Sequence, residues 1–242
     1  MQLEQDGFVV LRGVLSPDAV KAAQARLASE LDAAIRKGDE KSFARINNRK
    51  RRHDLRLSMA PGNRRLLEAI LHSSKATAQT YVGVLGRGAT LVEFGVITSH
   101  PGAEAQDIHS DVEFDGDARC VFTTFVALQD ISEDMGPTNI WPGTHQAFFC
   151  EFYKPRMLGP RDPYYWKNKP KLMTVNAGDA VLMDTRVMHC GGANSSKRER
   201  MLFHFSFETS GVDKNAPSGF TYNLVPELKG KYQLSHFLER KT

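Results

Sequence analysis

The alternation of apolar and polar positions divides the chain into two unlike parts. Near the start, Phe8-Val9-Val10-Leu11 is a short apolar run that reads as a strand. Ser16-Pro17-Asp18 follows, a hydroxyl at an N-cap position with proline at the first helical position. From Pro17 to Lys37, Val20, Leu27, Leu31 and Ile35 recur on a helical period, and Gly38 closes the segment. A second helix opens at Pro61-Gly62-Asn63, carries Leu66, Leu67, Ile70 and Leu71, and runs on to Tyr81. From Thr90 the helical period gives way to short runs rich in β-branched and aromatic residues: LVEFGVI, CVFTTFVAL, KLMTV, AVLMD and MLFHFSF. Pro, Gly and Asp clusters separate them (HPGAEAQ, ISEDMGP, WPGTH, NAGD). Many short strands with such punctuation predict a sandwich or barrel, the jelly roll among them, with the two helices covering one sheet from outside. Residues 145–170 form a long aromatic and proline-rich connection, and a short closing helix is expected around Tyr232 to Leu238.

Composition narrows the class without naming a chemistry. A chain of 242 residues, 41% hydrophobic and 25% charged, suits one globular domain. No apolar run is long enough to span a membrane, and no secretory signal precedes Phe8, so a cytoplasmic protein is expected. Three cysteines without C-x-x-C spacing fit reduced thiols. The net charge of +4 is too mild to imply nucleic acid. Its distribution is uneven: Arg45, Arg49, Lys50, Arg51, Arg52 and Arg56 crowd around a single acid, Asp54. This stretch reads either as a solvated loop or as a cationic rim, with Arg51, Arg52 and Arg56 receiving an anionic substrate. Nucleic acid ranks third, because the stretch lacks aromatics for base stacking.

The chemistry centres on Gln106–Asp111 (QDIHSD). In an extended strand, His109 and Asp111 at i and i+2 point to one face and can grip one ion. A distant second histidine completes the facial triad that holds non-heme Fe(II) and leaves positions open. His189 stands 78 residues after Asp111, and Arg200 enters an apolar strand eleven residues later. An arginine directed into such a strand is costly unless an anion meets it, and its fork matches a carboxylate. Open iron positions plus an inward arginine suit a 2-oxo dicarboxylate.

The sequence resembles the phytanoyl-CoA dioxygenase family of Fe(II)/2-oxoglutarate-dependent oxygenases. QDGFVVLRGVLSPDAV, PGAEAQDIHSD, ALQDISEDMGPTNIWPGTHQ and NAGDAVLMDTRVMHCGGANSSKRER carry the resemblance, over most of Gln5 to Phe207. It implies a mainly β fold with flanking α-helices, a double-stranded β-helix (jelly roll, cupin-like). One domain over 1–242 is expected, with a helical part about 1–88, a core about 89–210 and a tail 211–242. It further implies His109, Asp111 and His189 as iron ligands and catalytic centre, Arg200 on the distal carboxylate of 2-oxoglutarate, and O2 as oxidant. Asp111 stands where related halogenases have a small residue, which implies hydroxylation or desaturation. Gly191 stands where relatives often have a serine that contacts 2-oxoglutarate, so other polar contacts are expected.

Two rival readings accompany this one. The chain could be a non-catalytic metal-binding jelly roll, or an oxygenase acting on nucleic acid or protein through the 45–56 cluster. Most of the eight histidines need no chemistry: His53 reads as solvated, His204 as one position in an alternating strand, and His100 and His145 as turn residues. Asp184 reads as a turn cap, Asn194 as holding the loop after His189, and Cys190 as a buried inert thiol. Tyr164, Tyr165 and Trp166 join the arginines as substrate candidates.

Overall fold

The computed structural model describes residues 2–47, 51–112, 120–146, 168–209 and 222–239. Arg49, Lys50, Cys150, Tyr164, Tyr165 and Trp166 lie outside them. A seven-stranded antiparallel sheet faces a smaller one. The large sheet runs β1 (Phe8–Leu11), β8 (Ala180–Asp184), β5 (Val121–Ala127), β10 (Arg200–Glu208), β4 (Thr90–Ser99), β3 (Arg52–Arg56), β2 (Phe43–Asn47). The small sheet runs β7 (Lys171–Leu172), β6 (Thr138–Ile140), β9 (His189–Gly191). This is the expected jelly roll.

β10 explains how the layers come together. Its sequence alternates strictly, so Met201, Phe203, Phe205 and Phe207 point to one side of the sheet and Arg200, Leu202, His204 and Ser206 to the other. The phenylalanine face packs with Leu27 and Leu31 of α2 (Pro17–Lys37), Leu67 and Ile70 of α3 (Pro61–Leu71) and Tyr81 of α4 (Lys75–Leu85). Burying each phenyl ring there contributes about 1.5–3 kcal/mol. The opposite face looks across to the small sheet and lines a cavity. Leu202 joins Met183, Ile140 and Phe8 in the apolar layer that closes one end of it.

Helix α2 begins and ends where its punctuation requires. Ser16 Oγ accepts from Ala19 N at 3.3 Å, and Gly38 takes the left-handed conformation at φ 62°. The second expected helix is two. α3 stops at Leu71, and Ser74 caps α4 by accepting from Thr77 N at 3.0 Å. The serine pair offers the backbone an N-cap that the apolar periodicity conceals. The short closing helix is α5 (Ser235–Leu238).

The described part of the basic stretch is strand rather than solvated loop. β2 and β3 pair antiparallel, and β3 extends the large sheet by pairing with β4 in the register Arg52↔Ser99, Asp54↔Ile97, Arg56↔Gly95. Ladder hydrogen bonds to β4 outweigh the charge density, and Arg52 ends up buried. No helix among the described residues is long and apolar enough to cross a membrane.

Candidate metal centre

His109 and β9 meet through one antiparallel bridge: His109 N donates to His189 O at 2.9 Å, and His189 N to His109 O at 2.8 Å. The segment carrying His109 is therefore extended but is no regular strand, as the spacing had suggested; a single bridge fixes it. Asp111 N donates to Thr185 O at 2.9 Å, which anchors the other end. Asp111 then stands between the two imidazoles, with Oδ1 3.6 Å from His109 Nε2 and Oδ2 3.6 Å from His189 Nε2. One donor atom from each lies within 4.8 Å of the others, the only such group among the described residues.

The imidazoles are aimed by their other nitrogens. His109 Nδ1 is 2.7 Å from Asp107 O, and His189 Nδ1 is 3.0 Å from Val187 O. A proton on each Nδ1 satisfies these carbonyls and leaves the Nε2 lone pairs directed at the common point. Burial holds His189 below the ordinary histidine range against the pull of Asp111, favouring the neutral, ligating form. Two nitrogens and one carboxylate on one side of a point, with the cavity on the other, suit a first-row divalent metal with open positions.

Beyond the triad the cavity, about 530 Å³, ends at a buried cationic pair. Arg200 is 2% exposed and Arg52 6%. Arg200 donates from Nη2 to Ser99 Oγ at 3.0 Å and from Nη1 to Gly136 O, while its Nε has no partner. Arg52 donates from Nε to the same Ser99 Oγ at 2.8 Å and from Nη2 to Glu104 O at 3.2 Å and Gly192 O at 3.3 Å. Burial and the charge of Arg52 bring Arg200 down to about 9. Gly191 separates this pair from the triad. Its N–H donates to Gln106 Oε1 at 2.7 Å, and a Cβ there would lie 2.6 Å from that oxygen and 3.2 Å from Arg200 Nη2. The Gln106 amide thus occupies the space that a serine side chain at 191 would claim.

The three candidate substrate arginines part ways. Arg52 belongs to the cationic end. Arg56 borders the cavity, with Nε on Asn223 Oδ1 at 2.8 Å and Nη1 on Lys41 O at 3.1 Å. Arg51 turns to Pro101 O at 3.1 Å and is not among the lining residues. His53 is half-buried rather than solvated, 2.8 Å from His100, which reaches Glu199 at 2.7 Å. His145 packs under Gly7, away from the cavity. Asp184 receives Arg186, and Asn194 Nδ2 holds Ser99 O and Arg198 O, both structural as expected. Cys190 is buried, its thiol pushed up by burial.

Glu93, Asp54 and His204, to which the sequence assigns no chemical role, line the same cavity as the metal triad. The signal was present: on β10, His204 and Ser206 share the parity of Arg200.

Sequence comparison decides the family, since the phytanoyl-CoA dioxygenase (PhyH) profile matches residues 3–202. The chain belongs to the phytanoyl-CoA dioxygenase family. Relatives within reach include the multifunctional dioxygenase prhA of Penicillium brasilianum, 28% identical over 210 residues covering 81% of this chain and 66% of prhA. The dioxygenase ALT11 of Alternaria alternata is 26% identical, covering 96% of this chain and 78% of its own. The chain thus spans just under two thirds of the length of prhA. Among solved structures, the non-heme alpha-ketoglutarate-dependent epimerase SnoN superposes with a TM-score of 0.66 at 20% identity, covering 96% of this chain and 88% of SnoN. HygX from Streptomyces hygroscopicus, solved with nickel, 2-oxoglutarate and hygromycin B, superposes at 0.60 and 15% identity, covering 96% and 93%. These likenesses establish the family fold, and the candidate ligands are this chain's own.

Proposed function

We propose that this phytanoyl-CoA dioxygenase family member is an Fe(II)- and 2-oxoglutarate-dependent oxygenase that hydroxylates or desaturates a small molecule. One observation supports it above the rest. A three-donor metal centre opens onto a cavity whose far end holds two buried guanidiniums, and neither has a carboxylate partner among the described residues. Burying two like charges side by side is costly, and a dianionic ligand relieves it. 2-Oxoglutarate has the matching polarity, a keto-acid end for the metal and a carboxylate for the arginines. SnoN and HygX, solved with this co-substrate and with small molecules bound, are consistent with such a use.

In this reading His109, Asp111 and His189 hold Fe(II), which with O2 supplies oxidation of a C–H bond coupled to decarboxylation of 2-oxoglutarate to succinate and CO2. The protein's part is positional. The bridge between His109 and His189 fixes the spacing of the two imidazoles, and the carbonyls of Asp107 and Val187 fix their orientation. Arg200 and Arg52 orient the co-substrate by its distal carboxylate. The Gln106 amide replaces the serine hydroxyl of relatives beside Gly191.

Anaerobic titration with Fe(II) and 2-oxoglutarate should give a weak visible charge-transfer band, and aerobic incubation should yield succinate. His109→Ala and Asp111→Ala should lose both while remaining folded. Tightly bound iron with no band on adding 2-oxoglutarate would overturn the reading.

A further inference from the structure

The large-sheet wall of the cavity carries a set of ionisable groups that the metal centre does not use. Asp54 on β3, Glu93 on β4 and His204 on β10 all face inward, with Thr123 and Ser206 beside them. His204 Nε2 lies 3.0 Å from Asp54 Oδ1, and Asn223 Nδ2 donates to Asp54 Oδ2 at 3.2 Å. Both oxygens of Asp54 are therefore occupied. Burial pushes His204 down, but the charge and hydrogen bond of Asp54, with Glu93 and Asp111 behind it, outweigh that and raise it. The pair is close to an internal ion pair and is electrically spent.

Glu93 is different. Ser206 Oγ donates to its Oε2, and among the described residues no donor reaches its Oε1. Its remaining surface opens into the cavity. Burial is the main influence on its carboxyl, raising it to about 7, with His204 and Ser206 opposing and Asp111 and Asp54 adding to the rise. The charge of His204 reaches it, but the His204 hydrogen bond goes to Asp54, and the arginines of the cavity do not answer it. Arg52 and Arg200 share Ser99 at the co-substrate end. Arg56 is held by Asn223 and Lys41 O, and Arg45 is exposed. A half-buried acid with one free oxygen, whose neighbouring cation is already committed to Asp54, is an arrangement that a cationic ligand would complete.

We propose that the primary substrate presents a protonated amine to Glu93, so that this wall selects a cationic small molecule over an anionic or neutral one. Behind Glu93 the hydroxyls form a short chain: Ser206 Oγ donates to Glu93 Oε2, and Thr123 Oγ1, 2.7 Å away, donates to Ser206 Oγ, so both protons are spent on holding the carboxylate in place. The selection differs from the anionic substrate expected from the basic stretch, whose buried member, Arg52, lies beside Arg200 at Ser99. It rests on the cavity being an active site, but its test does not require turnover.

Calorimetric titration of the full chain with glucamine, sorbitol and gluconate compares one six-carbon polyol ending in an ammonium, a hydroxyl or a carboxylate. The expected order is glucamine tightest and gluconate weakest. Glu93→Gln, which keeps the shape and removes the charge, should weaken glucamine at least tenfold while sorbitol changes less than threefold, with thermal unfolding confirming an intact fold. Any other order, including failure of all three to bind the wild-type chain, overturns the inference. So does a glucamine affinity that Glu93→Gln leaves unchanged. Should Fe(II) and 2-oxoglutarate give no band while the amine still binds through Glu93, the oxygenase reading fails and the amine site stands.

Discussion

Arg52 and Arg200 share one acceptor, Ser99 Oγ, at 2.8 and 3.0 Å, although 148 positions separate them in the chain. Arg52 reaches Ser99 from a hairpin strand paired with β4, and Arg200 reaches it from β10 on the other side of β4. The register places both guanidiniums over the same residue, Ser99, which pairs with Arg52 on one edge and Arg200 on the other. Two strands thus focus positive potential on one end of the cavity.

If both arginines hold the distal carboxylate, removing either weakens one co-substrate and nothing else. Arg200→Met and Arg52→Met should each raise the 2-oxoglutarate KM by about tenfold or more, in line with charge-assisted hydrogen bonds of about 1.5–3 kcal/mol. The rate at saturating 2-oxoglutarate should change far less. A KM shift confined to the primary substrate in Arg52→Met would return Arg52 to the substrate site.

Gly191 and Gln106 should behave as a coupled pair. Serine at 191 puts its Cβ where Gln106 Oε1 now lies, 2.6 Å away, so Gly191→Ser alone should displace the amide and raise the 2-oxoglutarate KM. Gln106→Ala vacates that space, and Gly191→Ser with Gln106→Ala should recover much of the loss. A double-mutant cycle on KM should give a coupling of about 0.5–3 kcal/mol, and strict additivity would count against the packing argument.

Gly95 makes a second close passage. A Cβ there would stand 2.7 Å from His204 Nε2 and 2.7 Å from Leu55 O, so the missing side chain lets His204 cross β4 to reach Asp54 on β3. Gly95→Ala should destabilise the fold by about 1–3 kcal/mol, read by thermal or denaturant unfolding. Adding His204→Ala should restore only part of it, because the Leu55 carbonyl belongs to the backbone and cannot turn aside.

Much of this was legible along the chain because it is written in local periodicity. The 3.6-residue apolar period and the Ser16 and Gly38 caps mark α2, and short runs of β-branched and aromatic residues mark β4, β5, β8 and β10. The metal triad was legible because His109 and Asp111 adjoin and His189 lies within a recognisable pattern. The α3–α4 break was hidden, since Ser74 acts through a single cap. The β2–β3 hairpin was hidden by its charges, which are those of a surface loop when no neighbouring strand is in view.

By itself the sequence determined the types of most elements and brought forward His109 and Asp111 as a pair of candidate ligands, since both depend on spacing of a few residues. Only the tertiary structure decided which charges meet. Strand order placed Arg52 beside Arg200, let His204 find Asp54 across Gly95, and left Glu93 without an arginine or lysine partner among the described residues. Electrostatic energy depends on distance in space, and in a sheet that distance is set by register between strands far apart in sequence.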